Sequence, residues 1–310
     1  MSQPRRQKTS PAPDGELFPI RTIATLTGMN PITLRAWERR YGLIKPVRTP
    51  KGHRLYAREH IDLIHRVLTL LDKGMPISQV RHALESKSTP ALGKSDPWAP
   101  YCTRMIGAVV EFDELTLDET YNEALSLYPL ELVTRRLLVP LLVELGERWE
   151  TAEGSVAEEH FFAFYLRNKL GARFHHRARF AAGPRFLGAC VPGEQHEIGL
   201  MLFALAAHEA GLQSVLLGAN TPLEDLPLAA KRAGVDAIVL AGAVDAAPEA
   251  WRESLAQLVA CLNVPVLVGG GVSVHQHDTI VAAGAIVLGD DIATGVRRLH
   301  DSIGRQERTS

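Results

Sequence analysis

Apolar positions along the chain change spacing twice, and each change marks a different kind of structure. Over 17–86 they recur at helical intervals in short runs separated by turn residues, which predicts a small helical domain. The stretch 86-SKSTPALGKSDPWAP-100 is rich in Ser, Pro, Lys and Gly and marks a linker over 87–100. From 101 to 181 the apolar residues keep a helical period, clearest in 130-LELVTRRLLVPLLVELGERW-149. That predicts a four-helix bundle in which Pro140 kinks or restarts the longest helix. From Pro184 the pattern becomes short apolar runs, 186–190, 214–217, 236–240, 264–268 and 285–288, with helical stretches between them. Such runs are strands buried on both faces, so 184–303 reads as a doubly wound, Rossmann-like parallel sheet. The chain is thus expected to be multidomain, α and α/β. Ligands of such sheets sit beyond the carboxyl ends of the strands, at the loops opening on Val191, Gly218, Ala241 and Gly269.

Charge sharpens the picture at one end. The formal net charge of the 310 residues is -1, yet residues 1–60 hold twelve Lys/Arg against four acids. Phosphate affinity follows local cationic density, so this asymmetry fits a DNA-binding end on a non-binding body. A merely solvated basic surface would give the same count. No apolar run is long enough to cross a bilayer, and the basic, Pro-rich start lacks the apolar core of a secretory signal, so a cytoplasmic protein with no membrane partner is expected. Cys102, Cys190 and Cys261 are too far apart for a disulfide framework or a paired thiolate site and are expected to be buried and inert.

Within the basic end, 19-PIRTIATLTGMNPITLRAWERRYGLIKP-46 predicts a helix, a turn at Gly28, and a second helix capped by Asn30 with Pro31 in its first position. Ile32, Leu34 and Trp37 can face inward, leaving Arg35, Glu38, Arg39 and Arg40 to reach base edges or phosphates. The following 47-VRTPKGHRLY-56 predicts a hairpin with cations at its tip, a wing beside the recognition helix. Helical pieces over 58–73 and 76–85 complete the unit. The string LRAWERRYGLIKPVRTPKGHRLY at 34–56 resembles the MerR family of winged helix-turn-helix regulators. The resemblance implies double-stranded DNA contacts from Thr33, Arg35, Trp37, Glu38, Arg39, Arg40, Tyr41, Lys51, His53, Arg54 and Tyr56. Packing of the small core is the competing reading for Trp37. The resemblance also implies a dimer on a near-palindromic operator, with RNA polymerase at the promoter as a further partner.

At the other end, 191-VPGEQHEIGL-200 places Glu194, His196 and Gly199 as E-x-H-x-x-G where the first strand gives way to a helix. A ligating imidazole needs a partner that fixes its tautomer, and Glu194 is placed to be one. With 215-VLLGANTP-222, which carries Gly218 and Asn220, and the glycines Gly269 and Gly270 after the fourth strand, the stretch resembles the cobalamin-binding domain of corrinoid methyltransferases, mutases and B12-dependent regulators. That resemblance implies His196 as the lower ligand of the corrin cobalt, with Gly269 and Gly270 lining the channel for the displaced nucleotide tail. Ala241 and Ala243 stand where the family often has Ser-x-Leu, so a hydroxyl contact to the tail is missing.

Trp149 is followed by nine residues and then Glu159 and His160, W-x9-E-H, a spacing similar to the signature of the CarH/LitR light-sensing regulators. It implies adenosylcobalamin as chromophore, methylcobalamin being the alternative, with Trp149, Glu159 and His160 at the upper group. It also implies a repressor that assembles as a dimer or tetramer and responds to light. Glu150 stands where the best-known type has a histidine that takes the vacated upper position, which leaves His160, His175, His176 or water for that place. A light-independent B12 sensor and a corrinoid methyl carrier remain alternatives, and the basic helix-turn-helix argues against the carrier and against any enzyme.

Overall fold

A computed structural model describes residues 16–85, 96–150, 154–177, 183–243 and 251–306. The chain starts with β1 (Leu17–Pro19), α1 (Ile20–Thr27) and α2 (Pro31–Ala36), followed by the wing strands β2 (Val47–Arg48) and β3 (Arg54–Ala57) and by α3 (Arg58–Asp72) and α4 (Ile77–Glu85). The expected hairpin is present, and β1 adds a third antiparallel strand in the order β1-β3-β2. Asn30 caps α2 by accepting from the Ile32 amide at 2.8 Å. The helix continues through a wide turn, Trp37–Tyr41, and stops at Gly42 in the left-handed region.

The helical region comprises α5 (Ala99–Val110), α6 (Glu114–Leu127), α7 (Leu130–Val133), α8 (Val139–Glu150) and α9 (Val156–Arg177). Between α7 and α8 the backbone stays helical but widens by one residue over Thr134–Leu138. Pro140 has no N–H for the Arg136 carbonyl, and this wide turn just ahead of it absorbs the mismatch without breaking the helix.

The parallel sheet consists of β4 (Arg185–Cys190), β5 (Gln213–Gly218), β6 (Ala237–Ala241), β7 (Val266–Gly269) and β8 (Ile286–Gly289), in the order β5-β4-β6-β7-β8. Successive side chains point to opposite faces, and both faces are covered. Leu187, Ile238, Leu240 and Val268 pack beneath α11 (Leu226–Ala233), α12 (Trp251–Ala260), α13 (Gly271–His275) and α14 (His277–Ala282). Phe186, Val239 and Leu267 pack against α10 (Ile198–Glu209) and α15 (Ile292–Gln306). Burial on both sides is why the strands read as unbroken apolar runs. Because β5 lies on one side of β4 and β6 on the other, the strand order reverses between β4 and β6, and a crevice opens there at their carboxyl ends.

Chain contacts divide the molecule into two compact units, Met1–Glu159 and His160–Ser310, with the division inside α9. The cysteines are free, but only Cys190 is fully buried, its thiol pushed up to about 12 chiefly by burial. Cys102 is half-buried, and Cys261, expected inside, is exposed at the end of α12.

Candidate DNA interface and cofactor site

The cap at Asn30 fixes which side of α2 faces out. Ile32, expected inward, is 60% exposed, and Arg35 and Arg39 follow it on the same side at helical spacing. Leu34 takes the inward place beside Thr33 and Trp37, both fully buried. The Trp37 indole donates to the Leu127 carbonyl at 2.8 Å and the Thr33 hydroxyl to the Leu125 carbonyl at 3.3 Å. Those carbonyls belong to the last turn of α6, where helical partners run out. Thr33 and Trp37, expected to touch DNA, therefore tie the recognition helix to the bundle from the side opposite the arginine stripe. Arg40 is exposed and Tyr41 half-buried at the helix end.

The wing is braced to this helix through Glu38. Its carboxylate accepts from Arg48 at 2.8 Å and from Arg54 at 2.5 Å, so Glu38 and Arg54 first serve to set the angle between helix and hairpin. Burial alone would raise the Glu38 carboxyl, but hydrogen bonds and charge from Arg54 and Arg48 hold it below its ordinary value. At the tip, the Thr49 amide donates to the His53 carbonyl at 2.9 Å and the His53 amide to the Thr49 hydroxyl at 3.1 Å, and Lys51 and His53 project into solvent. Tyr56 is fully buried, and its hydroxyl finds no hydrogen-bond partner among the described residues.

At the second site the sequence-adjacent motif closes into a compact network. Glu194 is 3% exposed, and its Oε1 accepts from the backbone amide of His196 at 2.7 Å and from Nδ1 of the same imidazole at 2.8 Å. Oε2 accepts from the Ala243 amide at 2.6 Å, which ties the loop after β4 to the loop after β6 across the strand-order reversal. A carboxylate at Nδ1 favours a proton there, the arrangement in which a neutral imidazole would turn Nε2 to a metal. The imidazole itself is 65% exposed. Asn220, in the left-handed region, accepts from the Gly193 amide at 2.8 Å and donates its own amide to the Glu194 carbonyl at 2.7 Å, steadying the same loop.

The glycines differ in what they do. A Cβ on Gly270 would lie 2.4 Å from the Gly242 carbonyl oxygen, and its φ of +84° is unsuited to other residues, so the turn itself demands glycine. At Gly218 a Cβ would strike the Glu197 carboxylate. Gly269 would meet only ordinary contacts with Leu288, and Gly199 meets nothing within 4 Å, which leaves open space one turn along from His196. Among the described residues no group of three or more His, Cys, Asp or Glu is placed to hold a bare metal ion. One oriented imidazole beside open space suits a metal that brings its other ligands with it, as corrin cobalt does.

On α9, Glu159 is half-buried and His160 exposed, whereas the side chains of Trp149 and Glu150 lie outside the described residues, as do those of His175 and His176. Sequence reasoning missed the ion pair between Arg167 of α9 and Glu197 at 2.6 Å. It also missed the Ala243 amide, a partner 49 residues from Glu194 with no side chain to betray it.

Residues 18–87 match the MerR HTH family regulatory proteins, and 101–173 and 184–295 match two B12 binding domain families. The HTH-type transcriptional repressor CarH of Myxococcus xanthus is 31% identical over 85% of this chain and 91% of its own length. CarA of the same organism is 33% identical over 81% of this chain and 85% of its own. A monomethylamine corrinoid protein of Methanosarcina barkeri shares the fold, with a TM-score of 0.52 and 19% identity over 65% of this chain and 97% of that one. Among the described residues no helix is long and apolar enough to cross a membrane. The wing beside the exposed arginines and the braced imidazole beyond the sheet thus lie on one chain with full-length regulator relatives, and that chain belongs to the CarH/CarA family of MerR-type, B12-binding transcriptional regulators.

Proposed function

We propose that this regulator represses transcription from a double-stranded operator under control of adenosylcobalamin, with His196 as the lower cobalt ligand. The observation that carries the reading is the Glu194–His196 pair, a buried carboxylate holding an exposed imidazole by Nδ1 at 2.8 Å. When bound, an alkylcobalamin supplies a cobalt–carbon bond that light can cleave. Glu194 orients the lower ligand, Gly270 permits the close turn beside the crevice, and Trp149, Glu159 and His160 meet the upper group. On the DNA side, Ile32, Arg35 and Arg39 enter the major groove, while Arg40, Lys51 and His53 meet backbone phosphates. Tyr56, fully buried, packs the small core under the wing rather than reaching the phosphates. The protein works as a dimer or tetramer in the cytoplasm, acting at promoters where RNA polymerase binds.

Visible spectra of the chain titrated with adenosylcobalamin in the dark test the axial ligand. Wild type gives a histidine-ligated spectrum and His196→Ala does not; identical spectra overturn the assignment. Gel shifts on an operator selected from random duplexes, before and after illumination, test the response to light. A second reading, B12 sensing without light, is favoured by Glu150 following Trp149; operator affinity that is equal in dark and light but changes on adding cobalamin establishes it.

A further inference from the structure

The N-terminal half of α9 leaves a large aromatic side chain in solvent. Phe164 is 63% exposed, whereas Phe162, Tyr165 and Leu166 on the other side of the helix are buried. Two contacts show how the second half of α9 lies against the sheet domain. Arg167 pairs with Glu197 at the start of α10 at 2.6 Å, and the Phe174 ring meets His208 near its end with 5.4 Å between centroids. The two helices therefore run side by side in the same direction. α10 begins at the carboxyl end of β4, so residues of α9 that precede Arg167 extend past α10 toward the ligand side of the sheet. Phe164 stands three residues, about 4.5 Å of helix rise, before Arg167 on the exposed side of the helix. His196 is the residue next to Glu197 in the chain, and its imidazole is 65% exposed.

We propose that Phe164 is a cofactor-binding residue, an apolar wall packed against the edge of the corrin macrocycle that His196 holds. The inference rests on the cobalamin reading above and adds to it a contact outside the E-x-H-x-x-G and W-x9-E-H motifs. The corrin is a flat ring fringed with methyl groups, and an aromatic face at its rim is covered on binding without needing a polar partner. The ion pair fixes the helix beside it: Arg167 is a positioning residue, while Phe164 makes the contact.

The test combines affinity with direct footprinting. Dark titrations followed in the visible give dissociation constants for methylcobalamin and adenosylcobalamin with wild type, Phe164→Ala and the conservative Phe164→Leu. A ring-edge contact weakens both forms roughly tenfold in Phe164→Ala, less in Phe164→Leu, and leaves the histidine-ligated spectrum unchanged. In parallel, hydroxyl-radical oxidation read by mass spectrometry compares Phe164 with Leu228 and Val281, which are also exposed in the same unit. Phe164 becomes protected on adding methylcobalamin and the two references do not. Spectral binding with unchanged affinity and unchanged oxidation overturns the contact while the lower-ligand reading stands. Protection already complete without cobalamin means that protein covers the ring, and also overturns it. Absence of any spectral binding by wild type removes the cofactor reading, and this inference with it.

Discussion

At the scale of single residues, the two carboxylates that matter most act by holding another side chain. Glu194 only accepts: two backbone amides and one imidazole N–H converge on its two oxygens. Glu194→Gln replaces one oxygen with a donor, which sets N–H against N–H at one of those contacts. The expected outcome is a loss of cobalamin affinity of about 10–100-fold, measured by spectral titration, with the fold retained by circular dichroism. Glu38 differs because its partners are charged and partly exposed. Its folded pKa is lowered, so its stabilisation is complete above the ordinary value of 4.5 and is lost as pH falls through the depressed folded value. Glu38→Gln should lower stability by about 0.2–1 kcal/mol at neutral pH and by almost nothing in acid, read from urea unfolding at both. The Glu194–His196 pairing was legible because both partners lie in one short loop. The outward turn of Ile32 was not, since apolarity suggested the inside and only the helical phase set by Asn30 decides the side.

At the scale of elements, regular periods were readable and junctions were not. The five strands and the wing hairpin appear close to where their apolar runs placed them, because each is a local pattern. β1 is too short to carry a pattern of its own, and it exists through pairing with β3, nearly forty residues away in sequence. The contact between α2 and the end of α6 is likewise invisible locally: the acceptors are main-chain carbonyls, which any residue offers. It nevertheless fixes the recognition helix to the bundle. Trp37→Phe removes the indole donor to the buried Leu127 carbonyl and three ring atoms from a fully buried site, and it should destabilise the Met1–Glu159 unit by about 1–3 kcal/mol or more in urea unfolding. Because the arginine stripe is on another side of the helix, the variant should still bind DNA at low temperature; complete loss of binding in a folded variant would return Trp37 to the DNA face.

At the scale of the whole molecule, the excess of positive charge in the first sixty residues matches where the winged helix stands, and this was the part of the function easiest to read from composition. How the cofactor speaks to the operator was not readable, because coupling is a free-energy difference between states and no residue type encodes it. Thermodynamics still constrains it tightly. If cobalamin raises operator affinity by a given factor, the operator must raise cobalamin affinity by the same factor, whatever the route between the sites. A hundredfold effect corresponds to about 2.7 kcal/mol of coupling. The proposed repressor should therefore bind adenosylcobalamin more tightly in the dark when saturated with a selected operator duplex than with a scrambled one. That ratio should equal the ratio of operator affinities with and without cofactor, both taken at one salt concentration and one protein concentration, since phosphate contacts and assembly both shift the apparent constants. Arg39→Ala should reduce operator affinity while leaving the cobalamin constant without DNA unchanged. Equal cobalamin affinities on selected and scrambled duplexes would mean that the two ends bind their ligands independently, and control of DNA binding by the cofactor would fall.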